Sequence, residues 1–229
     1  MPTVYRKENK TEVEWEVNSK RQQELVQDIR EKFVPRRGIH LTDLTLCLRK
    51  AYFRKQGMAP PITERQCMFY IAGLAIQDYL LEPYNVTTQK DGIICSPDFC
   101  SVKGLEEVKS TRMSSHKFDP EDITHWKRQI LGYMEALEVT EANLVVFFII
   151  EASLQVWSAK ATEEEIEANW EWLLERKIEL ENAIARMQLP PYPDAEERWQ
   201  CRNCECAELC PDSPGTGRRK LPRTEARTW

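Results

Sequence analysis

Residues 93–111 read IICSPDFCSVKGLEEVKST, and the choice of fold turns on them. Two apolar runs, Ile93 to Phe99 and Leu105 to Ser110, flank a turn signal at Gly104, the pattern of consecutive β-strands. Asp98 closes the first run and Glu107 lies inside the second, so a hairpin brings both carboxylates together. Side chains two apart in a strand share a face, which puts Glu107 beside Lys109 and turns Val108 into the core. The short interval between the two acids asks for a tight hairpin. Paired acidic oxygens suit a hard cation, magnesium or manganese. A neighbouring lysine can orient an attacking water and neutralise charge building on a phosphate. By itself the pattern is weak, because charged strand ends facing solvent often produce it.

On the N-terminal side, Tyr84 to Thr88 reads as another strand and Asp91-Gly92 as a turn. Thr63 to Leu81 is an apolar helix, preceded by the break Pro60-Pro61. Thr42, as N-cap, opens a helix to Lys55, and an earlier helix spans about Glu14 to Phe33, ended by Pro35. On the C-terminal side, Pro120 to Glu138 is a helix whose Gln129 and Tyr133 fall on one face, within reach of the sheet end. Leu144 to Ile150 is an uninterrupted apolar strand fit for burial on both faces, and Leu154 to Ala159 pairs with it. Glu163 opens a long helix to Arg186, with acids in its first turn as the helix dipole favours. The expected architecture is α/β, a small mixed sheet flanked by helices. Its parts are a lead-in and helix over 1–37, a main domain over 38–190, a cysteine segment over 191–211 and a basic, disordered tail over 212–229.

The chain has 229 residues, 41% of them hydrophobic, which suits one core-forming domain. No apolar run approaches the length of a spanning helix, and the polar N-terminus lacks the apolar centre of a secretory signal. A cytoplasmic protein without membrane contact is expected. The net charge of −5 means that nucleic-acid binding must come from local patches.

Eight cysteines without an export signal point to metal ligation rather than disulfides. Cys201-x2-Cys204-x5-Cys210 supplies three thiolates, and Cys47, far upstream, is the best candidate for a fourth. Spacing serves zinc and iron–sulfur equally, and Cys206 could replace Cys204 or Cys210. Cys67, Cys95 and Cys100 read as small core hydrophobes.

Taken together, these clusters resemble the PD-(D/E)XK nucleases of the RecB-like group, and more narrowly the iron–sulfur CRISPR-associated exonucleases, the "Cas-four" family. The resemblance spans roughly residues 38 to 211. It rests on Leu41-Thr42-Asp43-Leu44, Cys47-Leu48-Arg49-Lys50, Gly73-x3-Gln77, Pro97-Asp98, Glu107-Val108-Lys109-Ser110-Thr111, Gln129-x3-Tyr133 and the Cys201, Cys204, Cys210 triplet. It implies a restriction-endonuclease-like core stapled at its C-terminal segment by a [4Fe-4S] cluster on Cys47, Cys201, Cys204 and Cys210, with Cys206 spare.

The resemblance further implies a divalent metal, Mg2+ or Mn2+, on Asp98, Glu107 and the Val108 carbonyl. Lys109 would assist water, and Gln129 and Tyr133 would position the strand. Such enzymes trim single-stranded or partly duplex DNA from an end. In CRISPR adaptation they process prespacers beside the spacer-integration complex. One position departs from the family. Gln77 stands where a metal-binding histidine is usual, and its amide oxygen is a weaker ligand. A repair or mobile-element nuclease, or a catalytically weak DNA-binding scaffold, is the alternative. His116 and His125 read as solvated or structural. Arg49, Lys50, Arg54, Lys55, Arg112 and Lys117 are expected to contact DNA phosphates. Tyr52 and Phe53 offer either base stacking or core packing. Arg218, Arg219, Lys220, Arg223 and Arg227 give the tail its basic character.

Overall fold

Pro97 has no N–H to give a strand ladder, and the single strand expected over Ile93 to Phe99 is two short strands, one on either side of it. The computed structural model describes residues 16–33, 36–80, 86–101, 104–193, 198–201 and 204–212. The basic tail and the first fifteen residues lie outside this set. The chain divides into two units, Met1–Val34 and Pro35–Trp229. The first holds helix α1 (Ser19–Lys32), capped by Asn18, whose side chain accepts the Arg21 N–H at 2.9 Å.

The second unit runs β1 (Ile39–His40), α2 (Leu41–Leu44), α3 (Leu48–Lys55), α4 (Glu64–Leu80), β2 (Thr88–Lys90), β3 (Ile93–Cys95), β4 (Phe99–Ser101) and β5 (Gly104–Thr111). Two 3-10 turns, Ser115–Lys117 and Pro120–Asp122, lead to α5 (Thr124–Leu137), β6 (Glu141–Phe148), β7 (Ser153–Lys160) and α6 (Glu163–Arg186). The strands form two sheets, β1-β3-β2 and β4-β5-β6-β7. The chain passes from the first to the second through Ser96-Pro97-Asp98. In the second sheet β4 and β5 make the tight antiparallel hairpin, with Ser101 opposite Gly104. Gly104 has φ +128, a conformation that a side chain resists.

β5 runs parallel to β6, with Glu107 opposite Leu144 and Lys109 opposite Val146. Leu144, Val145 and Val146 are consecutive and all buried, so β6 is covered on both faces. β7 pairs antiparallel at the edge, with Leu154 and Val156 exposed.

The helix expected from Thr42 to Lys55 is broken. His40, not Thr42, precedes α2, and its backbone N–H donates to Asp43 Oδ2 at 3.0 Å. Thr42 instead accepts from Arg36 at 2.9 Å. The chain leaves helix at Thr45 to Cys47, where the Cys47 N–H donates to Gln200 Oε1 at 3.1 Å. Tyr52 and Phe53 are both buried and pack edge to face, so they serve the core rather than base stacking.

Helix α6 carries a capping box. Thr162 Oγ1 accepts from the Glu165 N–H at 3.2 Å, and Glu165 Oε2 accepts from the Thr162 N–H at 3.0 Å. It packs on α5 through Gly132, where an added Cβ would come within 2.4 Å of Leu41 Cδ1 and 2.9 Å of Leu173 Cδ1. This close approach lets α5 carry its polar face to the end of the second sheet. Among the described residues, no helix is long and apolar enough to cross a membrane.

Candidate active site

Glu107 is only 3% exposed although it is a carboxylate in the middle of a strand. Its Oε1 accepts from Lys109 Nζ, on the same face of β5, and from Gln129 Nε2 at 2.8 Å. Its Oε2 is buried with no hydrogen-bond partner among the described residues. Burial pushes the Glu107 carboxyl up to about 7, the Lys109 ammonium pulling it down and the Asp98 charge pushing it further up. Asp98 sits at the sheet crossing and accepts the Val108 N–H through Oδ2 at 2.7 Å. Burial raises its carboxyl too, while Lys109 and the Val108 N–H oppose the rise.

Gln129 and Tyr133 project from one face of α5, as their spacing requires. The Gln129 amide donates to Glu107 and also to the Tyr133 hydroxyl at 3.0 Å, and that hydroxyl donates to the Ser96 carbonyl at 3.1 Å. Both hydrogens of the amide are thereby committed. Burial, then the Glu107 charge, hold the Tyr133 phenol well above its ordinary range, so it stays a donor. Expected to position the nucleic-acid strand, the pair is buried and braces Glu107 instead. The brace ties the acid of one sheet to Ser96, where the chain leaves the other.

Helix α4 lies along β5, since a Cβ on Gly73 would meet Ser110 Oγ at 3.6 Å. Gln77 is one turn further along this side of α4. Among the described residues no hydrogen bond joins it to Asp98 or Glu107.

His125 stands four residues before Gln129, on the same face of α5. Its ring lies against Trp199, centroids 5.1 Å apart. Burial, with help from the nearby Lys109 charge, pushes its imidazole down to about 4, so it is neutral. The spacing His125-x3-Gln129-x3-Tyr133 was the available signal. Trp199 left none.

Cys47, Cys201, Cys204, Cys206 and Cys210 line one small cavity, together with Phe53 and Tyr192. Cys206, read as spare, is as much a part of this lining as the other four, and is 1% exposed. Cys67 and Cys95 are fully buried and Cys100 partly so, away from this lining.

The basic surface of α3 faces this segment rather than open solvent. Arg49 is buried and reaches the Pro190 carbonyl at 2.8 Å, Asp212 at 2.6 Å and Cys210 Sγ at 3.4 Å. Lys50 and Arg54 pair with Glu205 at 3.3 and 2.5 Å. Lys55 pairs with Asp43 at 2.7 Å. Phosphate contact was the expectation for these four, and acids within the fold hold them instead. Arg112, over the Phe69 ring, and Lys117 are exposed.

Two donor sets therefore exist. Asp98 and Glu107 offer hard oxygens, one of them orphaned and buried, which fits a divalent cation. The five thiols around one cavity fit a soft-metal centre. Among the described residues, no group of three or more His, Cys, Asp or Glu is already arranged to hold a metal ion.

Residues 105–211 match the PD-(D/E)XK nuclease superfamily. The nuclease match takes in Glu107, Lys109, Gln129, Tyr133 and the cysteines from Cys201 to Cys210, and begins after Asp98. The crystal structure of SSO0001 is similar over 84% of this chain and 96% of its own, at 16% identity and a TM-score of 0.54, a likeness of fold. The crystal structure of an alkaline exonuclease, LHK-Exo from Laribacter hongkongensis, is 13% identical with a TM-score of 0.43, over 70% of this chain and 95% of that one. The complex of LHK-Exo with dAMP is 11% identical with a TM-score of 0.40, over 72% and 95%. No curated protein sequence matches the chain.

Proposed function

We propose that the chain is a metal-dependent nuclease hydrolysing DNA phosphodiesters, an exonuclease that trims single-stranded ends. One observation carries the reading: Glu107 is held rigidly on one oxygen by Lys109 and Gln129 while its other oxygen is buried and unpartnered. A buried polar atom without a partner is costly, and a divalent cation is the partner that a nuclease-superfamily site supplies.

Asp98, Glu107 and the Val108 carbonyl would hold that cation, which when bound polarises the phosphodiester and provides hydroxide near neutral pH. Lys109, two residues along the same strand face, places a positive charge where the phosphate accumulates negative charge. Gln129 and Tyr133 keep the Glu107 carboxylate from rotating, so its free oxygen points in one direction. Gln77 on α4 would be a weak amide ligand.

The cysteine cavity supports a [4Fe-4S] cluster on Cys47, Cys201, Cys204 and Cys210, a structural staple for the C-terminal segment. The joint pattern of acids and cysteines supports a setting in CRISPR adaptation, trimming prespacers beside the spacer-integration complex.

The test uses anaerobically purified protein, end-labelled single-stranded DNA and either Mg2+ or Mn2+. Cleavage by the parent and none by Glu107→Ala is the expected result. Tight DNA binding without cleavage in either metal replaces this reading with a scaffold. A prespacer role also predicts that added spacer-integration proteins change the length of the trimmed product.

A further inference from the structure

The pair Trp199 and His125 is not used by the hydrolytic site as described. Trp199 is 53% exposed, while its ring rests on His125 with centroids 5.1 Å apart and planes tilted by 37°. His125 is four residues before Gln129 on α5, a rise of about 6 Å along the helix. Gln129 in turn touches Glu107 at 2.8 Å, and the Lys109 charge acts on the His125 ring. The indole therefore rests on a ring that stands one helical turn before the residue that touches the carboxylate.

The turn that carries the indole is pinned on both sides. Gln200 accepts the Cys47 N–H at 3.1 Å, and Arg198 donates to the Pro193 carbonyl at 3.2 Å while its guanidinium lies over Tyr192. A large aromatic backed by a second ring and half exposed is suited to stack a planar ligand. Beside a phosphodiester-cleaving site that ligand is a nucleobase, because every base offers a π-face regardless of sequence.

We propose that Trp199, backed by His125, is a stacking platform for one unpaired base of the DNA strand whose phosphate enters the Glu107–Lys109 site. This rests on the nuclease reading and assigns to Trp199 the recognition of the unpaired base. A base within a duplex is stacked on its neighbours, so the platform selects single-stranded ends. It also makes the cysteine segment part of the substrate site, since that segment delivers the indole.

The experiment measures binding of labelled oligothymidine to the full chain in chelator, so no cleavage is needed. It compares the parent, Trp199→Ala and Trp199→Phe on intact oligomers and on a series with one abasic site moved along the strand. Trp199→Ala should weaken binding about tenfold, and Trp199→Phe should restore most of it. With the abasic site at one particular position, parent and Trp199→Ala should bind alike. Equal binding of parent and Trp199→Ala to the intact oligomer overturns the platform. So does a loss of the same size at every abasic position, which would indicate a structural role or a protein-facing surface. A chain that shows the position-specific loss but never cleaves retains the platform and loses the nuclease reading.

Discussion

The side-chain amide of Gln129 spends both of its hydrogens inside the site, one on Glu107 Oε1 at 2.8 Å and one on the Tyr133 hydroxyl at 3.0 Å. It is a brace between two sheets. Gln129→Ala removes the brace and leaves Glu107 free to turn. Cleavage should fall about 10- to 100-fold with single-stranded DNA binding little changed, the size of effect typical when a group orienting a metal ligand is lost. Gln129→Glu should do worse, because it sets a second charge against Glu107. Single-turnover rates beside binding constants check both.

Glu107 gives the metal-free protein a pH-dependent stability of definite sign. Its carboxyl rises from an ordinary 4.5 to about 7 in the folded state. The folded chain therefore holds a proton that the unfolded chain has lost. That contribution is fully present below the unfolded value and is lost as pH rises through about 7. A divalent cation competes with this proton, so Mn2+ should raise the melting temperature more at about pH 8 than at about pH 5.5. In Glu107→Gln both the slope and the metal effect should shrink. Thermal melts with and without metal decide it.

Glu205 collects Lys50, Arg54 and Gln66, with its side chain only 7% exposed. Glu205→Ala strips the acid from three donors on α3 and α4. The loss should be about 1–3 kcal/mol, between that of a surface pair and a fully buried one. The segment around Cys204 to Cys210 should then become the first site of limited proteolysis. Cleavage there at the parent rate would contradict the anchoring role.

Gly132 has no room for a methyl group against Leu41 and Leu173. Gly132→Ala should destabilise the fold by about 1–3 kcal/mol through overpacking, despite the better helix propensity of alanine. Denaturant unfolding measures the change.

Much was legible without coordinates because it is written in local periodicity. The period-2 alternation of Glu107, Val108 and Lys109 determined which two side chains share a face, though both Glu107 and Val108 are buried. The unbroken apolar run after Leu144 determined a central strand, and the acids after Thr162 marked the start of α6. Counting candidate ligands made Cys47 the best fourth partner for the C-terminal cysteines without choosing among Cys204, Cys206 and Cys210, and all five line one cavity.

Tertiary structure alone decided the rest, and the reason is range. Lys50 and Arg54 have the composition of a phosphate-binding helix face, and only Glu205, some 150 residues later, shows that their charge is taken. The sheet change at Pro97 is a single-residue event that an apolar average conceals. The approach of Trp199 to His125 depends on a turn pinned by Cys47 and Pro193, neither of which leaves a periodic mark beside the tryptophan. Local pattern determines elements because it acts through neighbouring backbone. Which charge meets which acid, and which ring rests on which, is decided where distant segments pack and exclude water.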